Sequence, residues 1–212
     1  QATSGYATEY CQFVAGFVTS VRTKVLGPGA ERWLTTTTYY DDHCRVIQTV
    51  TDNLYEQQSR VDMKYDFVGN VIRQRECHKV STNQMDVLES VNTYDNRGRL
   101  LTTVTSLNGA TPVTVTYNYD AVGRQTGKTM GNLTETITYN VRGWLTSKNS
   151  PVFNMKLRYE VPQGGTSACW NGNISEWEWQ QGTGPVFMYG FVYDGVNRLT
   201  GTTQKQKNGS SW

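Results

Sequence analysis

The sequence predicts an all-β protein made of repeated antiparallel β-hairpins, and three observations predict it. First, a short phrase of tyrosine, an acidic or amide residue and a glycine slot, followed in four of six copies by an arginine, recurs along the chain. Its copies begin at Tyr40, Tyr65, Tyr94, Tyr119, Tyr139 and Tyr193, with spacings of 25, 29, 25 and 20 residues and then a gap of 54. A repeat at such a period outranks any single residue as evidence of fold. Second, the residues before each phrase alternate, as in Val113, Val115, Tyr117 and Tyr119 against Thr114, Thr116 and Asn118, or Phe187, Tyr189, Phe191 and Tyr193. Period two in Val, Thr, Tyr and Phe is a strand pattern. Third, Thr, Tyr, Gly and Asn stand where helices would carry Ala, Leu and Glu, and no stretch has a convincing helical pattern.

Taken in order, residues 1–39 are the least regular and read as degenerate strands of the same sheet. Phe13 to Val21 reads as two strands meeting at Gly16, Thr23 to Leu26 runs into the turn Gly27-Pro28-Gly29, and Trp33 to Tyr40 is a threonine-rich strand. Residues 40–150 are the repeat array. Thr51-Asp52-Asn53 and Leu107-Asn108-Gly109 carry the Asn, Asp and Gly of hairpin loops. Asn83 to Leu88 has some helical character, but strand is expected. Residues 151–187 form a tryptophan-rich insertion hairpin, with Met155, Leu157 and Tyr159 alternating in one strand and Ile174 to Trp179 forming another. The loops Pro162–Thr166 and Gln180–Pro185 and the turn Asn171-Gly172 interrupt it. Residues 188–212 hold the last repeat and, from 201, a frayed polar tail.

The phrase itself is turn chemistry. In Tyr119-Asp120-Ala121-Val122-Gly123-Arg124 the Asp120 carboxylate can accept backbone N–H groups two residues on, and Gly123 can take the positive φ that closes the turn. Tyr94-Asp95 with Gly98 and Arg99, Tyr65-Asp66 with Gly69, Tyr139-Asn140 with Gly143, and Tyr193-Asp194 with Arg198 read the same way. In Tyr40-Asp41 the glycine slot holds Cys44. These residues are therefore assigned a structural role.

Composition narrows the function. The 212 residues are enough for one all-β domain, yet only 37% are hydrophobic, and mean hydropathy is −0.56. A sheet with one wet face fits this better than a thick core. A net charge of +2 is too small to imply nucleic acid or a membrane surface. No apolar run approaches the roughly 20 residues that span a bilayer.

Six phrases in order, with this insertion, resemble the YD repeat of Rhs proteins, teneurins and insecticidal toxin-complex proteins. Two stretches are similar to Rhs proteins of Bacteroides and its relatives. One is Trp33-Leu34-Thr35 through Tyr39-Tyr40-Asp41-Asp42 with Arg45-Val46-Ile47-Gln48-Thr49. The other is Tyr139-Asn140-Val141-Arg142-Gly143-Trp144-Leu145 with Asn171-Gly172-Asn173-Ile174-Ser175 downstream. The resemblance implies hairpins joined edge to edge into a long, curved, twisted sheet, which in complete members spirals into a hollow β-shell around a toxin or other cargo. Other members are cell-surface adhesion proteins. The self-cleaving core of toxin-delivering members carries an Asp-Pro-x-Gly signature, and this chain has no Asp-Pro pair, so neither self-cleavage nor a toxin is implied.

Other constellations are weaker. His43-Cys44 and Cys77-His78 pair the two histidines with cysteines, but strand neighbours point to opposite faces, so a zinc site is not expected. Cys11, Cys44, Cys77 and Cys169 allow three disulfide pairings, with free, buried thiols slightly favoured. Motifs of nucleophilic catalysis and of nucleotide binding are missing. Glu176 and Glu178 share a face that reads as solvated. On the other face, Trp177 and Trp179, with Trp170 nearby, could stack on a sugar ring, although cross-strand packing is the plainer reading. The expected protein is a non-enzymatic structural module without cofactors, exported to the cell surface or beyond. Its expected partners are the rest of its own parent chain, a second copy through open sheet edges, or a glycan, and not nucleic acid.

Overall fold

The computed structural model describes residues 6, 10–52, 57–81, 84–209 and 212, without the side chain of Val80. It is all-β. The strands are β1 (Ser20–Val25), β2 (Arg32–Tyr40), β3 (Val46–Asp52), β4 (Gln58–Tyr65), β5 (Val71–Ser81), β6 (Gln84–Tyr94), β7 (Leu100–Leu107) and β8 (Val113–Tyr119). They continue with β9 (Gln125–Met130), β10 (Leu133–Tyr139), β11 (Leu145–Asn149), β12 (Phe153–Arg158), β13 (Glu176–Gln181), β14 (Val186–Tyr193) and β15 (Leu199–Gln206). Together they form one open antiparallel sheet in strict sequence order. No helix among the described residues is long and apolar enough to cross a membrane. Two compact units divide the chain, residues 1–115 and 116–212.

The repeated phrase sets the register. Wherever a strand ends on a phrase tyrosine in a printed pairing, the register slips by one residue at that tyrosine: Tyr40 pairs with Val46, Tyr65 with Val71, Tyr94 with Leu100, Tyr139 with Leu145 and Tyr193 with Leu199. A bulge of this kind bends the strand and re-aims a side chain. Threonines facing each other across strands add hydroxyl contacts, as between Thr36 and Thr51 at 3.2 Å and between Thr93 and Thr102 at 2.6 Å.

In the first unit the buried apolar side chains are Tyr6, Ile47 and Cys77, and Asp62 is buried among them. Asp62 accepts from the Gln48 amide at 2.6 Å and pairs with Arg60 at 3.0 Å. In the second unit Tyr159 and Met188 are buried, and a long loop between β12 and β13 lies over one face. At Gly164 in that loop, a Cβ would stand 1.8 Å from Met188 Cε. Lys205 Nζ on β15 donates to the Gly164 carbonyl at 2.6 Å.

Three stretches differ from the sequence expectation. Residues 13–19 are not strand: Gly16 takes φ +86°, Phe17 N–H donates to the Val14 carbonyl at 3.0 Å, and only Ser20 onward extends. The turn is held where Phe17 packs at a tilt on Tyr40 and Tyr10 meets Tyr39 edge to face, with ring centroids 5.2 and 5.4 Å apart. The expected polar tail is ordered as far as Gln206, because β15 pairs with β14 from Leu199 to Gln206. A polar edge strand with lysines and no core face looks like a tail in sequence. Ile174 and Ser175 precede β13 rather than open it. Gln84 to Leu88 is strand as expected, while Asn83, like Asn53, lies outside the described residues.

Candidate functional site

Each phrase folds into the same capped turn, and every copy but that of Asn140, where Trp144 takes the closing position, adds a second bond that clamps it. The Asp side chain caps its own turn through Oδ1. Asp41 accepts from the N–H groups of His43 and Arg45, each at 2.9 Å, Asp95 from Arg97 and Arg99 at 2.8 and 2.9 Å, and Asp120 from Val122 and Arg124 at 3.1 and 2.8 Å. Asp194 accepts from Val196 and Arg198 at 3.0 and 2.9 Å, Asn140 from Arg142 and Trp144 at 3.0 and 2.9 Å, and Asp66 from Asn70 at 2.8 Å. Four positions after the Asp, the cation closes the other oxygen. Arg45, Arg124 and Arg198 each give Nε to Oδ2 at 2.7 Å, and Arg99 at 2.6 Å. Asn70 does the same with its amide at 2.8 Å.

The glycine slot takes positive φ in every copy, at Gly69, Gly98, Gly123 and Gly143. Cys44 fills it at φ +63° and Asn197 at φ +67°. In the last phrase the residue doing glycine's work is thus Asn197 and not Gly195. A cysteine there is strained, so Cys44→Gly is expected to stabilise the chain by about 1 kcal/mol, read as a higher urea midpoint at unchanged slope.

The tyrosine joins one clamp to the one before it. Its hydroxyl donates to the carbonyl of the residue that resumes the chain after the previous turn. Tyr65 donates to Val46 at 2.7 Å, Tyr94 to Val71 at 2.9 Å, and Tyr139 to Gln125 at 2.9 Å. Tyr40 reaches Val18 at 2.8 Å. The previous arginine covers the ring, with Arg45 and Arg124 each 4.7 Å from the centroids of Tyr65 and Tyr139.

This geometry exposes a copy that the phrase search missed. Tyr159 donates to the Leu145 carbonyl at 2.8 Å and packs on Trp144 at 5.0 Å, in the role the other tyrosines play. It divides the gap of 54 into 20 and 34. Tyr193 then donates to Ile174 at 3.0 Å, the residue that resumes the chain after the long loop. The insertion is therefore a repeat whose turn has grown, and its Tyr-Glu start concealed it.

The face carrying Glu176 and Glu178 is a correction to the sequence reading. It is not solvated: Glu176 is 0% exposed and Glu178 9%. Glu176 accepts from the N–H groups of Gln163 and Gly164 at 2.7 and 2.6 Å and from Thr166 Oγ1 at 3.0 Å, with Arg158 3.7 Å away. Glu178 pairs with Arg158, and with Lys156 at 3.5 Å. Burial pushes the Glu178 carboxyl up, but the Arg158 hydrogen bond and the two cations outweigh it and hold it below its ordinary value. Glu176 ties the long loop to the sheet, and Glu178 braces Arg158 beside it.

On the opposite face Trp177 and Trp179 stand in a ring ladder. Trp177 stacks on Tyr189 at 5.8 Å, and Trp179 on Phe187 at 4.9 Å and on Phe153 at 6.5 Å. Both indole N–H groups are buried without a hydrogen-bond partner. Their faces are already engaged by neighbouring rings.

All four cysteines are free. Asp41, Asp42 and His43 place ligand atoms within 4.8 Å of one another, but Asp41 is held by Arg45. Ser59 Oγ lies 2.8 Å from His78 Nδ1 on exposed sheet surface. Asp86 faces His78 across the strands, yet it accepts from Asn108 and makes no bond to the imidazole. A serine–histidine contact without an orienting carboxylate lacks the arrangement that activates a nucleophile.

The turn carboxyls of Asp41, Asp66, Asp95, Asp120 and Asp194 are all held below the ordinary aspartate value. At Asp66 the Asn70 amide is the main cause, and at Asp95 and Asp194 the backbone N–H of Arg99 and Arg198. At Asp41 and Asp120 burial pushes upward and is outweighed by bonds from Arg45 and Arg124. A carboxyl depressed on folding contributes stability above its unfolded value, about 3.9, that is lost as pH falls through the folded value. Urea midpoints are therefore expected to hold steady from about pH 7 to pH 5 and to drop below about pH 4. Asp120→Asn should lessen that drop. A scan against protein families and a search of curated proteins each found no match to this chain.

Proposed function

We propose that this chain is a non-catalytic structural module of an exported YD/Rhs-type repeat protein, adding hairpins to a larger β-shell that encloses cargo or acts at the cell surface. The observation that carries this reading is the clamp itself. Five tyrosine hydroxyls, those of Tyr65, Tyr94, Tyr139, Tyr159 and Tyr193, bond the carbonyl that follows the preceding turn, at 2.7 to 3.0 Å. Such a rule uses only the previous hairpin, so it extends to any number of them, as in other repeat architectures.

The edge strands β1 and β15 each have one neighbour in the sheet, and open edges invite a further strand. Sequencing the reading frame on both sides of this chain tests the proposal. More Tyr-Asp phrases in step with the array, together with an export signal, are the expected result. A frame with neither rejects it. For the chain alone, light scattering should find dimers at high concentration, joined by pairing of edge strands.

A further inference from the structure

Away from the clamps and the ring ladder, the long loop of the second unit forms one wall of a groove of about 470 Å³, within the size range of small-molecule sites. Its floor and far wall come from Phe191, Tyr193 and Asn197 of the last repeat. Trp170 stands in its mouth, 64% exposed and with no ring contact among the described residues. In the same unit Trp144, Trp177 and Trp179 are each packed against another ring, so Trp170 stands apart from them.

The residue is nonetheless held in place. Arg142 Nη1 donates to the Trp170 carbonyl at 2.7 Å. Gly172, at φ +98°, lies against the Trp144 ring, where a Cβ would be 3.3 Å from Cζ2. Beside the indole, three amides are locked together. Asn171 Nδ2 and Asn173 Nδ2 donate to Asn197 Oδ1 at 2.6 and 3.1 Å, and the Asn173 N–H donates to Asn171 Oδ1 at 3.1 Å. The side-chain Oδ1 of Asn173 and Nδ2 of Asn197 make no hydrogen bond among the described residues. No lysine, arginine, aspartate or glutamate lines the groove.

We propose that this groove binds a neutral saccharide, with the Trp170 ring as the stacking platform and the amides of Asn171, Asn173 and Asn197 as its polar contacts. A sugar ring offers what these groups require. Its C–H face matches an exposed indole, and its hydroxyls both donate and accept, as amide groups do. A phosphate or an acidic glycan would want cations that the groove lacks. The amides are preorganised, so little ordering entropy is lost on binding. The site goes beyond the architectural role, since a wall panel needs no exposed tryptophan.

The test is intrinsic tryptophan fluorescence of the full chain, titrated with cello-, manno-, galacto- and chito-oligosaccharides and with heparin as the charged control. The expected result is quenching by at least one neutral series, insensitive to salt. Trp170→Ala should weaken it about tenfold or more, while Trp177→Phe leaves it unchanged. Asn197→Gly supplies the second variant. It puts at φ +67° the residue that four other turns carry, so it removes the amide without straining the turn. It too should weaken binding about tenfold at an unchanged circular dichroism spectrum. Silence toward every neutral series, full affinity in both variants, or salt-sensitive binding of heparin alone overturns the proposal.

Discussion

Glu176→Ala is expected to destabilise the second unit by about 3–5 kcal/mol, since it removes one partner from a buried charge network. The carboxylate is 0% exposed and holds two backbone N–H groups, one hydroxyl and, through Arg158, a share of a guanidinium. Truncation leaves the buried Gly164 N–H and the partly buried Gln163 N–H and Thr166 hydroxyl without this acceptor, with the largest desolvation penalty at Gly164. It also leaves Arg158 with Glu178 as its remaining carboxylate. Urea unfolding measures the loss. Hydrogen exchange localises it, because the amides of Gln163 and Gly164 should lose protection before those of β13. The double variant Glu176→Ala with Arg158→Met should cost more than the single one, because the buried Glu178 then loses its guanidinium and keeps only Lys156. A change below about 1 kcal/mol would mean that the loop is anchored by other contacts.

Tyr159→Ala is expected to cost about 3–5 kcal/mol, the range for removing a buried aromatic ring. The side chain is buried, packs on Trp144 and donates to Leu145. Tyr159→Phe keeps the ring and loses the hydroxyl bond, so it should cost only about 1 kcal/mol. The contrast between the two separates ring packing from the clamp bond. Tyr65→Phe and Tyr139→Phe should lose a similar amount, since their hydroxyls make equivalent bonds at 2.7 and 2.9 Å. If Tyr159→Phe proves neutral while the other two are not, Tyr159 is a packing residue and the seventh copy of the clamp is lost.

Much of the architecture was legible in the residues alone. Alternation before Tyr119 and Tyr193 marked β8 and β14, and the Asp-x-x-Gly spacing placed the turns and their positive φ. These features are local. Strand alternation needs only the pleat, and an Asp-capped turn is complete within five residues. The Asp–Arg ion pairs of four turns, at Asp41, Asp95, Asp120 and Asp194, lay in the same phrase, where the arginine read only as the start of the next strand.

What only the tertiary structure decided depends on contacts between distant segments. Glu176 and Glu178 alternate with tryptophans in a pattern that fits either face as the wet one, and the long loop settled it by bonding over Glu176. Tyr159 has no Asp after it, so its likeness to Tyr139 appears only in the bond to Leu145. The polar run 201–206 is strand because β14 offers it an edge and Gly164 accepts from Lys205. Trp170, Trp177 and Trp179 are close neighbours in sequence, yet the fold packs the last two and leaves the first exposed beside three amides. Period and turn chemistry are properties of short segments and survive in one dimension, whereas burial is set by whatever lies across the sheet. In this chain that is a loop whose course no local pattern encodes.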